Sequence, residues 1–132
     1  MMAEMKLAAI LAKVQADDAT AVPAAEALQI ATLNGARALG LEHLIGSLEV
    51  GKCCDMVAVA LDDLETIPCF DVISNIVYAA AREQCMEVWV DGQCLMRRRE
   101  LCTIDSRAVK ETALTWQRRI LEGDPRNSSK TD

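Results

Sequence analysis

The first third of the chain has its apolar residues at helical spacing. Leu7, Ile10, Leu11 and Val14 fall at i, i+3, i+4 and i+7, which predicts an amphipathic helix over about residues 3–15. The polar run 17–20 breaks this pattern, and Pro23 suits the first turn of a second helix. That second helix repeats the spacing with small side chains, which predicts close packing: Ala24, Ala27, Leu28 and Ala31.

The stretch from residue 30 to residue 59 carries the chain from helices into a sheet. Asn34 is predicted to cap a short helix that runs through Leu39 and is closed by Gly40. Gly46 and Gly51 suit backbone positions that only glycine adopts at low cost. The apolar run over residues 55–61 follows, and its length predicts a buried strand.

The second half of the chain predicts a helix, a hairpin and a last helix. Residues 72–81 have helical apolar spacing, whereas residues 86–90 alternate with the period of a strand. Asp91-Gly92 predicts a two-residue hairpin turn, after which residues 93–96 return antiparallel. A final helix is marked by apolar positions and stopped by Gly123-Asp124-Pro125, and the polar tail 126–132 is predicted to be disordered. Those apolar positions are Val109, Ala113, Trp116 and Ile120.

The composition describes a globular protein with an acidic surface. The chain has 132 residues, of which 52% are apolar and 3% aromatic, so it is long enough to bury a core. A net charge of −6 argues against nucleic acid and anionic membranes as partners. No apolar run approaches the roughly 20 residues that span a bilayer, and the first residues lack the order of a signal peptide. We therefore expect a cytoplasmic protein.

The six cysteines form no Cys-x-x-Cys pair, so the spacing typical of a zinc ribbon is absent. If Asp91-Gly92 is the hairpin turn, Cys94 lies opposite Trp89 and far from Cys85, which disfavours a bridge between the two cysteines. We expect buried, reduced thiols that act as small apolar side chains.

Two motifs carry a resemblance to a known family. The chain reads Thr-x-Asn-Gly-Ala-x-Ala-Leu-Gly over residues 32–40 and Ile-Gly-Ser-Leu-Glu-x-Gly-Lys-x-x-Asp over residues 45–55. Together they resemble the C-terminal part of the amidohydrolase superfamily, in the branch of chlorohydrolases and of methylthioadenosine/S-adenosylhomocysteine deaminases. The resemblance extends over about residues 5–105. Cys54 stands where that branch usually has alanine.

The resemblance implies an α/β fragment of a larger enzyme. Residues 1–44 would be the last helices of a TIM-type (β/α)8 barrel, because Met1 aligns just downstream of the last barrel strand. Residues 45–104 would be C-terminal strands of the small β-sandwich beside the barrel, with an inserted helix at about 72–81. Residues 105–132 lie beyond the resemblance and are the C-terminal helix and disordered tail predicted above from the sequence pattern. A whole barrel needs roughly 200 residues or more, which this chain does not have.

The resembled enzymes hydrolyse carbon–nitrogen or carbon–chlorine bonds with a metal-bound hydroxide. Their metal, a divalent ion of the zinc or iron type, is held by a His-x-His pair, two further histidines and an aspartate. This chain has one histidine, His43, which we expect in a solvent-facing loop rather than at a metal. We therefore predict no catalytic, cofactor-binding or metal-binding residue in this chain, and a metal only in the full-length parent.

The other candidate residues have structural interpretations that we favour. Asp17-Asp18 and Asp62-Asp63 are adjacent carboxylates, which rarely converge on one site and more often mark loops. Arg97-Arg98-Arg99 could bind phosphate, but in an acidic protein a solvated strand edge is the better interpretation. Arg82 and Glu83 could pair with each other or with neighbours.

Two functional hypotheses remain open. In the first, the chain is the C-terminal segment of a metal-dependent deaminase of adenosine-type thioethers, inactive alone, with a triazine-type chlorohydrolase as the alternative within the family. In the second, it is a non-catalytic remnant that acts through self-association. The expected partners are the missing N-terminal part of the enzyme or further copies in a homo-oligomer, because the apolar helix stripes and open strand edges need cover.

Overall fold

The computed structural model describes residues 1–123, and the chain divides into two units, Met1–Glu100 and Leu101–Asp132. The predicted stop at Asp124-Pro125 and the predicted tail lie outside the described residues.

The described elements are five α-helices, two π-helical segments, one 3-10 turn and four strands. The helices are α1 (Met2–Ala16), α2 (Ala24–Gln29), α3 (Gly35–Ala38), α4 (Val72–Ser74) and α5 (Ser106–Leu121). The π-helical segments are Ile30–Asn34 and Asn75–Ala79, and the 3-10 turn is Arg82–Gln84. The strands are β1 (Met56–Val59), β2 (Cys85–Val90), β3 (Gln93–Arg97) and β4 (Glu100–Leu101), and they lie in the sheet in the order β1-β2-β3-β4.

The predicted break at Asn34 is wrong. Asn34 has helical dihedral angles (φ −72, ψ −34), and the chain stays helical from α2 through the π-helical segment Ile30–Asn34 into α3. The Asn34 side chain accepts a hydrogen bond from Arg37 at 3.0 Å instead of capping a helix. The predicted end is confirmed: Gly40 has φ +69, and the amides of Gly40 and Leu41 donate back to the last turn of the helix.

Small side chains hold the helices together, as their spacing predicts. The core cluster joins Met5 and Ala9 of α1, Ala27 of α2 and Val77 of the second π-helical segment. Alanine at a helix contact lets the backbones approach closely. The apolar stripe that predicts α1 does not face this core, since Leu7, Leu11 and Val14 are exposed.

The sheet contains the predicted hairpin. β2 and β3 pair antiparallel around Asp91 (φ 50) and Gly92 (φ 74), with Trp89 opposite Cys94 as expected. β1 pairs with β2 alone and lies at the sheet edge. The prediction of a buried strand is therefore wrong for β1, because none of its four residues is buried: Val57 is 55% exposed, Ala58 is exposed, and Met56 and Val59 are half-buried.

The second unit contains α5. Asp105 caps its first turn, since the carboxylate accepts hydrogen bonds from the amides of Arg107 (2.9 Å) and Ala108 (3.1 Å). After α5, Gly123 has φ +71, which confirms the glycine part of the predicted stop. No helix among residues 1–123 is both long and apolar enough to cross a membrane.

Candidate functional site

A cluster of three polar side chains lies in the turn between the helices and β1. Lys52 Nζ lies 2.6 Å from Ser47 Oγ and 3.1 Å from Glu49 Oε1, and Ser47 Oγ donates to the same carboxylate at 2.5 Å. The Lys52 side chain is only 12% exposed. A serine beside a lysine is the arrangement of some hydrolytic nucleophiles, so this cluster is the first candidate for chemistry.

The hydrogen-bond directions in this cluster favour a structural role. The hydrogen bond from the Ser47 hydroxyl, followed by that from Lys52, lowers the pKa of the Glu49 carboxyl. Ser47 thus donates a hydrogen bond to Glu49 and accepts a hydrogen bond from Lys52. A nucleophilic serine would instead donate its proton to a neutral lysine. The cluster therefore fastens the turn and does not form a nucleophile.

Two glycines shape this turn. Gly46 (φ +91) packs against the helical layer so closely that a Cβ there would lie 2.8 Å from Ala36 Cβ and 3.0 Å from Leu33 Cα. Gly51 (φ +94) needs glycine for its conformation alone, because nothing lies within 4 Å of such a Cβ. The predicted need for glycine is confirmed at both positions.

A second contact fixes the other end of the same turn against the hairpin. Asp55 Oδ1 accepts a hydrogen bond from the Asp91 amide at 2.7 Å, and the Gly92 amide donates to the Cys54 carbonyl at 3.2 Å. Sequence reasoning missed this role of Asp55. The signal available was the Asp91-Gly92 turn, whose outward amides need acceptors from another segment.

Cys53 lies beside these carboxylates. Partial burial raises the pKa of the Cys53 thiol, and the negative charges of Asp91 and Asp55 raise it further. The thiol is therefore held in its unreactive protonated form.

The expectation of buried thiols is wrong. Cys54, Cys69 and Cys102 are exposed and the other three cysteines are half-buried. With so few residues in the core, there is little interior for them to occupy. None of the six is joined in a disulfide in the described part of the chain.

The remaining candidates lie apart from one another. His43 is 88% exposed and 3.9 Å from Glu42, so the predicted solvent-facing loop histidine is confirmed. Asp18 accepts from the Thr20 hydroxyl and amide, which lowers its pKa, and Asp63 accepts from Gln84 at 3.1 Å. These acidic pairs hold loops, as predicted. Within residues 1–123, no three His, Cys, Asp or Glu side chains are placed to hold a metal ion.

The arginine run has a more specific role than the solvated strand edge that we predicted. Arg98 (φ 49) and Arg99 (φ 68) form the turn between β3 and β4. The Arg99 guanidinium donates to the carbonyls of Arg82 and Glu83 at 2.8 and 2.6 Å. Of the two alternatives left open for Arg82 and Glu83, the structure shows the pair with each other, at 2.7 Å between exposed side chains. Arg99 thus connects the turn between β3 and β4 to the 3-10 turn Arg82–Gln84.

Comparison with known proteins places nearly all of the first unit in one family. The model of the amidohydrolase family matches residues 1–95. A methylthioadenosine/S-adenosylhomocysteine deaminase of Moorella thermoacetica is 48% identical over 83% of this chain and 26% of its own length. The chain spans about a quarter of the length of the curated relatives that it matches.

Solved structures agree. An adenosine deaminase of Xanthomonas campestris with bound zinc superposes with a TM-score of 0.88 at 48% identity, over 93% of this chain and 28% of that one. A zinc complex of atrazine chlorohydrolase from Arthrobacter aurescens gives a TM-score of 0.78 at 21% identity, over 87% of this chain and 26% of that one. The second likeness is one of fold alone.

Proposed function

Because the chain belongs to the amidohydrolase family, we propose that it is the C-terminal segment of a metal-dependent deaminase that hydrolyses a carbon–nitrogen bond of adenosine-type thioethers. The substrate class is that of methylthioadenosine and S-adenosylhomocysteine. The segment supplies structure to the parent enzyme and no catalytic group of its own.

The level of identity carries this proposal. At 48% the chain is as similar to the Xanthomonas deaminase as to the Moorella deaminase, whereas its identity to the chlorohydrolase is 21%. The likeness to the triazine-type chlorohydrolase therefore supports a shared fold but not a shared substrate. We prefer deamination as the activity of the parent enzyme.

The same match supports an assignment of the elements. In this proposal α1, α2 and α3 are the last helices around a (β/α)8 barrel, and β1, β2 and β3 are strands of the small sandwich beside it. The superposition covers nearly all of this chain but little more than a quarter of the deaminase. Exposed apolar residues on α1 and on the edge strand β1 are what such a segment presents to the missing part.

The residues of this segment do not form a binding site for the metal of the parent enzyme. Its relatives contain zinc, and a catalytic zinc needs at least three nitrogen, sulfur or oxygen ligands that converge. The single histidine is exposed in a loop, Asp18 accepts hydrogen bonds from Thr20 within its own turn, and Asp63 accepts one from Gln84. The ligands must therefore come from the rest of the parent, and no step of the reaction is assigned to this chain.

A chimera tests the proposal. The matching region of the Xanthomonas deaminase is replaced by residues 1–123 of this chain, and deamination of methylthioadenosine, S-adenosylhomocysteine and 5′-deoxyadenosine is measured. We expect an active, zinc-containing enzyme. The matched control carries Gly46→Val, which prevents the close approach of the turn to Ala36 and Leu33 and should abolish activity. A well-folded chimera that binds zinc but deaminates none of the three would overturn the proposal.

A further inference from the structure

The loop between β1 and α4 has an exposed apolar surface. Leu64 is 85% and Phe70 95% exposed, and Ile67 and Val72 are each more than half exposed. Fully exposed side chains of this size have roughly 150–200 Å² each, so the four present about 500 Å² of apolar surface. Because this loop also carries the carboxylates described below, we call residues 62–72 the acidic loop.

The area of this surface fits a protein interface of standard size. Such an interface buries about 800 Å² on each partner, and about 60% of that is apolar. The apolar part of the acidic loop alone therefore matches one side of a stable contact.

The charges around the acidic loop restrict its partner. The stretch 53–81 contains five Asp and Glu residues and no Lys, Arg or His. Asp62 and Glu65 are exposed beside the apolar side chains. Two acidic loops placed face to face would bring like charges together, which opposes association. The partner surface should be apolar with basic flanks.

One described element of the chain has that character. The exposed residues Val109, Trp116 and Ile120 of α5 lie on one stripe, because their spacing is i, i+7 and i+11. Lys110 and Arg119 fall on either side of this stripe at helical spacing, and the Arg119 guanidinium lies 5.3 Å from the centre of the Trp116 ring. Over Ser106–Leu121 there are four basic residues and one acidic residue.

We propose that the acidic loop is an interaction surface that binds α5 of a second copy of this chain. A twofold arrangement makes the contact twice, so each copy gives its loop and its helix. Trp116 is the anchor, since the acidic loop borders a groove of about 320 Å³ in which Ile67, Phe70 and Tyr78 would contact an indole ring.

Charge reversal in two separate variants tests this pairing. The loop variant carries Asp62→Lys and Glu65→Lys, and the helix variant carries Lys110→Glu and Arg119→Glu. None of these four residues belongs to the core cluster or to the cluster of Ser47, Glu49 and Lys52. Association of the full chain is measured by light scattering after size-exclusion chromatography over a range of concentrations.

We expect the wild-type chain to associate and each variant alone to associate at least tenfold more weakly. In an equimolar mixture of the two variants both contacts regain opposite charges, so association should return to near the wild-type level. Trp116→Ala should weaken association as strongly as either reversal. Glu26→Lys, an exposed reversal on α2, should leave it unchanged.

Two results would overturn the proposal. One is a wild-type chain that stays monomeric at all concentrations. The other is association that both reversals leave intact, or that the mixture fails to restore; the apolar faces of α1 and β1 would then be responsible. Neither result affects the deaminase activity expected of the chimera. The two experiments can therefore reject this proposal and the proposed function independently.

Discussion

At the scale of single residues, the sequence identified correctly the glycines that are required by their own backbone conformation. Gly46, Gly51 and Gly92 all have positive φ, as the turn pattern predicts. What could not be predicted is which glycine also serves a close approach, because that depends on a neighbour distant in sequence. The Ala36 contact with Gly46 is of this kind.

Gly46→Ala and Gly51→Ala form a matched pair for this distinction. Both place a Cβ at positive φ, which costs about 1 kcal/mol. Only Gly46→Ala also drives a Cβ to 2.8 Å from Ala36 Cβ, so we expect it to cost about 2 kcal/mol more than Gly51→Ala. Chemical denaturation followed by circular dichroism measures both; equal losses of unfolding free energy would show that the close approach has no energetic weight.

The thiol of Cys53 gives a prediction that depends on pH. Partial burial and the charges of Asp91 and Asp55 raise its pKa, so alkylation at pH 8 should be slow. Asp91→Asn removes one negative charge and keeps a side chain that tolerates positive φ. The pKa of Cys53 should fall, and its alkylation rate, followed by mass spectrometry of the labelled peptide, should rise at pH 8. Asp62→Asn is the control, and an identical pH profile in all three proteins would contradict the assignment.

At the scale of elements, amphipathic spacing located α1, α5 and the β2–β3 hairpin, because each is defined by a local period. The π-helical segment Ile30–Asn34 was missed, since Asn34-Gly35 has the residue types of a helix boundary. The apolar run of β1 was expected to be buried, and its exposure has a physical reason: a sequence specifies that a strand is apolar but not whether its covering layer is present.

The hairpin turn gives the prediction at this scale. Gly92→Val places a β-branched side chain at φ 74, and should lower the free energy of unfolding by roughly 1 kcal/mol or more. Gln93→Val changes the next residue, which lies in β3 at ordinary strand geometry, and should be nearly neutral. Denaturation midpoints compare the two; an unchanged midpoint for Gly92→Val would place the stability of the chain outside this turn.

At the scale of the whole molecule, the motifs of residues 32–55 identified the family, and the match over residues 1–95 confirms it. The absence of a catalytic residue from this chain stays a prediction. It rests on histidine count and on the placement of the carboxylates, since a catalytic metal needs several converging ligands.

The isolated chain should neither deaminate methylthioadenosine nor retain a divalent metal through a chelating column. Enzyme assay and elemental analysis of the purified protein check the two parts. About one zinc per chain after the column would contradict this expectation. His43→Ala is then the informative variant, because loss of the zinc would trace the site to the one histidine.

The central claim is that this segment is completed by the rest of a larger enzyme, and dye binding tests it most directly. A fluorescent probe of exposed apolar surface is titrated against the isolated chain and against the Xanthomonas chimera. We predict strong binding to the isolated chain, because α1 and β1 leave Leu7, Leu11 and Val57 exposed, and little binding to the chimera, in which we expect the rest of the enzyme to cover them. A compact monomer that unfolds cooperatively and binds no dye would contradict the claim and identify the chain as a domain in its own right.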